Sequence, residues 1–259
     1  SVTKSIVSML VGAAIKDGFI ESVDEPVTDY LPRLKGSAYD RVTIGNILQM
    51  SSGVQWNEDY SDPGSDIARA DLSTLGTYRQ LRRKQVVAQS GEKFNYNTAE
   101  TNLVGTLLRS AVGNNLSTYL SEKIWRPFGM RADANWMLSE PGGGESGGCC
   151  ISATLRDYGR IGLFALAGGR LADGTKTLPS GWMKRSVTPS RGNDEYGYLW
   201  WLHGNGSFRA QGIFGQDIFM DPRRRIVIAL QSARADADKP DDWKLQDAFY
   251  QALIQTLDK

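Results

Sequence analysis

Two cysteines, one histidine and no excess of either charge sign set the first limits on this 259-residue chain. Cys149 and Cys150 are adjacent, so a bridge between them would need an unusual strained ring in place of relaxed disulfide geometry, and they are not expected to staple the fold. With His203 alone and no spaced thiols, no zinc site of His and Cys ligands is expected, and the carboxylates show no metal-ligand spacing. Lys and Arg number 30 against 29 Asp and Glu, a formal charge of +1. That balance excludes a nucleic-acid binder working by bulk electrostatics, which needs a clustered excess of cations. Apolar runs such as Ile161 to Ala167 fall far short of the roughly 20 residues of a membrane span. The first residues show neither a basic leader nor a cleavable apolar core, and neither compartment nor oligomeric state is readable.

What is present describes an ordinary globular chain, 41% hydrophobic and 23% charged, with no repeat and no low-complexity block. Positions 6 to 15 are apolar almost all round, as in a helix buried at a domain centre, with polar residues only in its first turn and Asp17-Gly18 at its end. From Thr43 to about Ala134 the pattern is helical: Thr43 caps one helix, Asn102 to Leu108 has apolar positions three and four apart, and Leu116 to Trp125 is another helix of this kind. Thr154 to Ala167 predicts a further amphipathic helix. The texture then changes to short aromatic and β-branched runs, Tyr196–Leu202, Ser207–Phe214, Gln216–Met220 and Ile226–Gln231, which read as an antiparallel meander. Asp241-Asp242 predicts the start of a last helix with Leu245, Ala248, Phe249, Ala252, Leu253 and Leu257 facing the meander. The expected fold class is α/β, one catalytic domain over 1–259 with a mostly helical subdomain at about 43–150.

Ser1 and Lys4 lie one helical turn apart on one face, about 5 to 6 Å between Cβ atoms, close enough for a direct hydrogen bond. A lysine held on an apolar helix is desolvated, which favours its neutral form and makes it a base toward the hydroxyl. S-x-x-K alone is common, and a capping serine with a solvent-reaching lysine is the bland alternative. Tyr96, in Tyr96-Asn97-Thr98 just before a helix, could relay a proton if it faced this pair, its phenolate favoured by the lysine; a surface loop tyrosine is the alternative. In Ala210-Gln211-Gly212-Ile213-Phe214-Gly215-Gln216 the glycines would let a substrate approach a strand edge and leave a backbone N–H exposed, unless they mark only a bulge. Gly144-Glu145-Ser146-Gly147-Gly148 matches G-x-S-x-G, but the nucleophile elbow needs a strand entering and a helix leaving, and loop glycines explain it better. His203, at a strand end, reads as structural or as a residue lining the cleft.

The order of these features, together with Asp24-Glu25-Pro26-Val27, Met50-Ser51-Ser52-Gly53-Val54-Gln55-Trp56-Asn57, Tyr96 to Thr101, Ile151 to Asp157 and Gly212 to Gln216, resembles the serine β-lactamase and penicillin-recognising family over essentially the whole chain. The likeness is to its esterase-like branch, in particular the 6-aminohexanoate-dimer hydrolases. It implies a β-lactamase/transpeptidase-like fold, an antiparallel sheet flanked by helices plus a helical subdomain. It also implies a segment ahead of Ser1 that supplies the first helix and edge strands, so the chain is expected to lack its N-terminal part. An N-terminal-nucleophile hydrolase would also begin with Ser, but the later motifs fit it poorly. The implied chemistry is acyl transfer from a small ester or linear amide. Ser1 is the nucleophile, Lys4 and Tyr96 handle protons, the backbone N–H groups of Ser1 and Ile213 hold the oxyanion, and no metal or cofactor is required. Tyr60, Asp71 and Gly212 are the implied substrate contacts, Asp71 for an amino end. Thr98 stands where the family has the Asn of Tyr-x-Asn, and Ala210-Gln211-Gly212 replaces its Lys-Thr-Gly, which removes the cation that holds a β-lactam carboxylate. A β-lactamase or DD-peptidase, or a catalytically idle ligand-binding member, remains the alternative.

Overall fold

The computed structural model describes residues 1–257. Helix α1 (Val2–Asp17) starts directly after Ser1, whose side chain makes no capping hydrogen bond, and ends at Gly18, whose φ of 81° is the left-handed conformation that glycine reaches without a Cβ penalty. Residues 2 to 14 are all buried, polar Thr3, Lys4, Ser5 and Ser8 included. The all-round apolar pattern therefore corresponds to a central helix, packed on α5 (Thr98–Val112) and on strand β4 (Phe208–Gln211). Trp182, fully buried, lies flat enough on Gly12 that a Cβ there would stand 2.6 Å from its ring.

After a short helix α2 (Val27–Tyr30), the helical stretch resolves into α3 (Ile44–Leu48), α4 (Thr74–Leu81), α5, and α6 (Leu116–Leu120) running into a π-helical turn, Ser121–Trp125. Thr43 caps α3 in a reciprocal box with Asn46, as its sequence suggests. Thr154 caps α7 (Leu155–Leu166), and α8 (Trp182–Ser186) follows. A two-stranded ribbon, β1 (Asn135–Trp136) and β2 (Ile151–Ser152), has no signal in the sequence.

The meander is antiparallel in sequence order, β3 (Trp201–Leu202), β4, β5 (Asp217–Asp221) and β6 (Ile226–Leu230). Residues 196–200 lie outside it except for a single bridge from Tyr196 to Trp201. Strand β5 is buried throughout because both faces are covered, and its side chains alternate. Ile218 and Met220 join the main core toward α7, whereas Phe219 turns to α9 (Pro240–Leu257).

The predicted buried face of α9 is wrong. The residues that pack on the sheet are Gln246, Tyr250 and Ile254, while Leu245, Phe249, Leu253 and Leu257 are exposed. Buried Asp217 decides this: Gln246 donates to it at 2.7 Å and to the Tyr250 hydroxyl at 3.1 Å, and Arg209 reaches it at 3.4 Å. A buried carboxyl must be satisfied by polar partners, and that requirement overrides apolar periodicity. Cys149 and Cys150 also depart from expectation: they are joined as a disulfide between neighbouring residues. Among the described residues no helix is long and apolar enough to cross a membrane, and no group of three or more His, Cys, Asp or Glu could hold a metal ion.

Candidate active site

A cavity of about 480 Å³ opens where the first turn of α1, the start of α5, the 146–153 segment and the β4–β5 turn meet. Ser1 and Lys4 both line it. The helix sets their spacing, and Lys4 Nζ donates to Ser1 Oγ at 2.8 Å. Its second acceptor is the Gly148 carbonyl, also at 2.8 Å. Lys4 is only 2% exposed, and burial lowers its pKa from 10.5 to about 8, against the pull of Glu58, which favours the cation. A serine hydroxyl beside such a lysine can give its proton to the neutral amine, the same contact with donor and acceptor exchanged.

Tyr96 reaches this pair from 92 residues away in sequence. Its loop is laced to the 50–54 segment: Gly91 N–H donates to the Ser51 carbonyl, Asn95 N–H to the Met50 carbonyl, and Asn97 caps α5 through Glu100 N–H. The Tyr96 ring stacks on Trp201 at 5.8 Å between centroids and lies 5.4 Å from Lys4 Nζ. One expectation is overturned here. Burial pushes the phenol well above its usual range, and although the nearness of the Ser1 hydroxyl opposes this, Glu58 and Asp238 reinforce it. Tyr96 is therefore a phenol at neutral pH, suited to donating a proton rather than waiting as a phenolate.

Ile213 lines the cavity in the β4–β5 turn. The turn is closed by Gly212 N–H to the Gln216 carbonyl and Gly215 N–H to the Gly212 carbonyl, so among the described residues the Ile213 N–H has no partner. Gly212 itself does not line the cavity. A Cβ there would stand 2.5 Å from Gln216 Oε1, the movable end of a side chain. Tyr60 lines the cavity and donates to Glu58 at 2.7 Å. Asp71 does not line it: it lies in a separate surface hollow and accepts from the Ser73 backbone and hydroxyl at the start of α4. Loop spacing could not fix its position.

Sequence reasoning missed Glu58. Its carboxylate accepts from Tyr60, Trp56 Nε1, the Thr98 hydroxyl and the Thr98 N–H, joining the 56–60 loop to the start of α5 at the cavity rim. Only its sequence neighbours Trp56 and Tyr60 could have drawn attention to it. Asn102, on α5 and lining the cavity, accepts from Gly148 N–H at 2.8 Å and Ser146 Oγ at 3.0 Å. Ser146 is 4% exposed in a loop, with no strand entering and no helix leaving, which removes the elbow alternative. His203 is absent from the cavity: it accepts from Arg209 Nε at 2.7 Å on the α9 side of the sheet, and burial beside Arg209 lowers its pKa to about 4.

The walls are otherwise largely apolar, with Ile67, Leu72, Ile151, Ile213 and Phe214, and among the described residues Lys4 is the one charged side chain lining the cavity.

The Beta-lactamase family model matches residues 1–251. A 6-aminohexanoate-dimer hydrolase from Paenarthrobacter ureafaciens is 30% identical over 283 residues, covering all of this chain and 71% of the relative. A structure from Bacillus anthracis, provisionally described as a 6-aminohexanoate-dimer hydrolase, superposes with a TM-score of 0.86 at 22% identity, over all of this chain and 72% of its own. A family VIII carboxylesterase superposes with a TM-score of 0.71 at 17% identity, over 97% of this chain and 82% of its own. At these identities the two structures speak for the fold.

Proposed function

From a chain that belongs to the Beta-lactamase family and is a serine hydrolase, we propose an acyl-transfer enzyme that cleaves small esters and linear amides through an acyl-enzyme on Ser1. The observation that carries this reading is the 2.8 Å contact between Lys4 Nζ and Ser1 Oγ inside the cavity. Neutral Lys4 takes the Ser1 proton as Oγ attacks the carbonyl carbon. The oxyanion forms between the N–H groups of Ser1 and Ile213, where preorganised donors act on charge that develops only in the transition state. Tyr96, held as a phenol, gives its proton to the departing alkoxide or amine, and Lys4 restores it. Water then releases the acyl group, activated by the same pair. Tyr60, at the rim, is a polar side chain placed to meet a substrate amide.

Fluorophosphonate labelling and turnover of p-nitrophenyl butyrate test the assignment together. Ser1→Ala is expected to abolish both; labelling that persisted on another serine would move the nucleophile there and end this reading.

A further inference from the structure

The cavity wall facing Lys4 is anchored at each end, and between the ends the Cys149 carbonyl accepts from Trp136 Nε1 at 3.3 Å and the Cys150 carbonyl from Met137 N–H at 3.1 Å. Gly148 is held by its N–H to Asn102 Oδ1 and gives its carbonyl to Lys4 Nζ, and Ile151 N–H donates to Thr3 Oγ1 at 2.9 Å. Between these anchors lie Cys149 and Cys150, bonded to one another and both lining the cavity. Cys150 is exposed and Cys149 half-buried. A bridge between adjacent residues closes almost no chain, so loop entropy gives it little global stabilising effect. What it constrains is local: the two side chains of the wall and the carbonyl beside them. Sulfurs open to solvent are also within reach of an attacking thiolate, unlike those of a buried bridge.

We propose that Cys149–Cys150 is a redox-reversible site in the wall of the active-site cavity: the disulfide holds the Gly148 carbonyl against Lys4, and its reduction by a small dithiol loosens that contact and slows turnover. The proposal rests on the reading of Ser1 and Lys4 as the reacting pair. In the reducing step a dithiol thiolate attacks one cysteine sulfur, forming a mixed disulfide and breaking the Cys149–Cys150 bond, and the departing thiolate takes up a proton. The second thiol of the reagent then displaces the remaining cysteine, which is protonated in turn. Two electrons and two protons pass to the protein, and the reagent leaves as its cyclic disulfide. Oxidised glutathione reverses the change by the same exchange. Two freed cysteine side chains regain rotamers in a segment that positions the base, and misplacement of a catalytic group is costly in rate.

The test uses the whole chain purified in air, with dithiothreitol as the probe and p-nitrophenyl butyrate as the substrate. Intact mass is expected to show a gain of two hydrogens, iodoacetamide to modify both cysteines only after reduction, and kcat/KM to fall about tenfold and return with oxidised glutathione. The double variant Cys149→Ser, Cys150→Ser should turn over at one rate with or without dithiothreitol. Thiols already free in air, a bridge that resists the dithiol, or equal kcat/KM in the two states would each overturn the proposal. An oxidised chain without turnover, indistinguishable from Ser1→Ala, would overturn the Ser1–Lys4 reading and the proposal together, while mass and alkylation still report whether the bridge exists.

Discussion

Lys4 and Glu58 set the pH behaviour of the site between them. Because burial lowers Lys4 to about 8, the neutral amine becomes the major form only above that pH, and kcat/KM is expected to rise through a limb near 8. The Glu58 carboxylate favours the protonated lysine, so Glu58→Gln should move that limb to lower pH while also loosening Tyr60 and Thr98, which raises KM. A limb left in place by Glu58→Gln would show that Glu58 does not act on the lysine. Lys4→Ala and Tyr96→Phe should each lower kcat by roughly 10² to 10⁴-fold, the usual range for general acid–base groups. If the pair share one proton path, the double variant loses less than the product of the two, and stopped-flow acylation rates in all four proteins would read the coupling. Ser1 and Lys4 were legible in the sequence because one helical turn fixes their separation whatever the rest of the chain does. Tyr96 could be named there, but its protonation state could not, since that depends on the rings and carboxylates that enclose it.

Elements show where periodicity succeeds and where it fails. Helix α1 matches its apolar pattern because a helix surrounded by protein needs no polar face. On α9 the same reasoning selected Leu245, Phe249 and Leu253, and the sheet took Gln246, Tyr250 and Ile254, because Asp217 needs donors that apolar side chains lack. Ile254→Ala, at 4% exposure, should therefore cost about 2 to 5 kcal/mol in urea unfolding, whereas Phe249→Ala, at 52% exposure, should stay within about 0.5 kcal/mol. Comparable losses at both positions would mean that the opposite face is covered in solution. The β4–β5 turn carries the specificity argument. Ala210-Gln211-Gly212 supplies no cation there, and a charge-assisted hydrogen bond to a buried carboxylate contributes about 1.5 to 3 kcal/mol, roughly 10 to 100-fold. Short esters should turn over fastest, linear amides more slowly and penicillins slowest; a kcat/KM for nitrocefin above that for p-nitrophenyl butyrate would contradict this.

Across the whole molecule, carboxyls whose burial outweighs their polar partners weigh on stability at neutral pH. Glu100, fully buried in the first turn of α5, is pushed up to about 7 by burial, against a hydrogen bond from Tyr39 and the nearness of the Ser52 hydroxyl. The folded chain thus keeps a proton that the unfolded chain releases above about 4.5, so stability falls as pH rises from about 4.5 to 7, by on the order of 3 kcal/mol. Asp217, likewise raised to about 7 by burial, adds in the same direction. Against their own burial, hydrogen bonds hold Glu145, Asp157 and Asp221 below the usual carboxylate range, and the stability they contribute is lost only as pH falls through those lowered values. Urea midpoints should therefore peak in mild acid, and Glu100→Gln should flatten the decline toward pH 7; an unchanged slope would assign it to other groups. By itself the sequence determined what depends on short separations: the buried first helix with its Ser1–Lys4 turn, the Thr43 cap, the antiparallel meander and the missing cation at 210–212. Tertiary structure alone decided which distant groups meet. It brought Tyr96 to Lys4, made Glu58 the common acceptor of two rim segments, left Asp71 outside the cavity, joined Cys149 to Cys150 in its wall and turned α9 toward Asp217. Local periodicity records a side chain's own conformational preferences, whereas burial, charge and hydrogen-bond satisfaction belong to pairs that packing alone brings together.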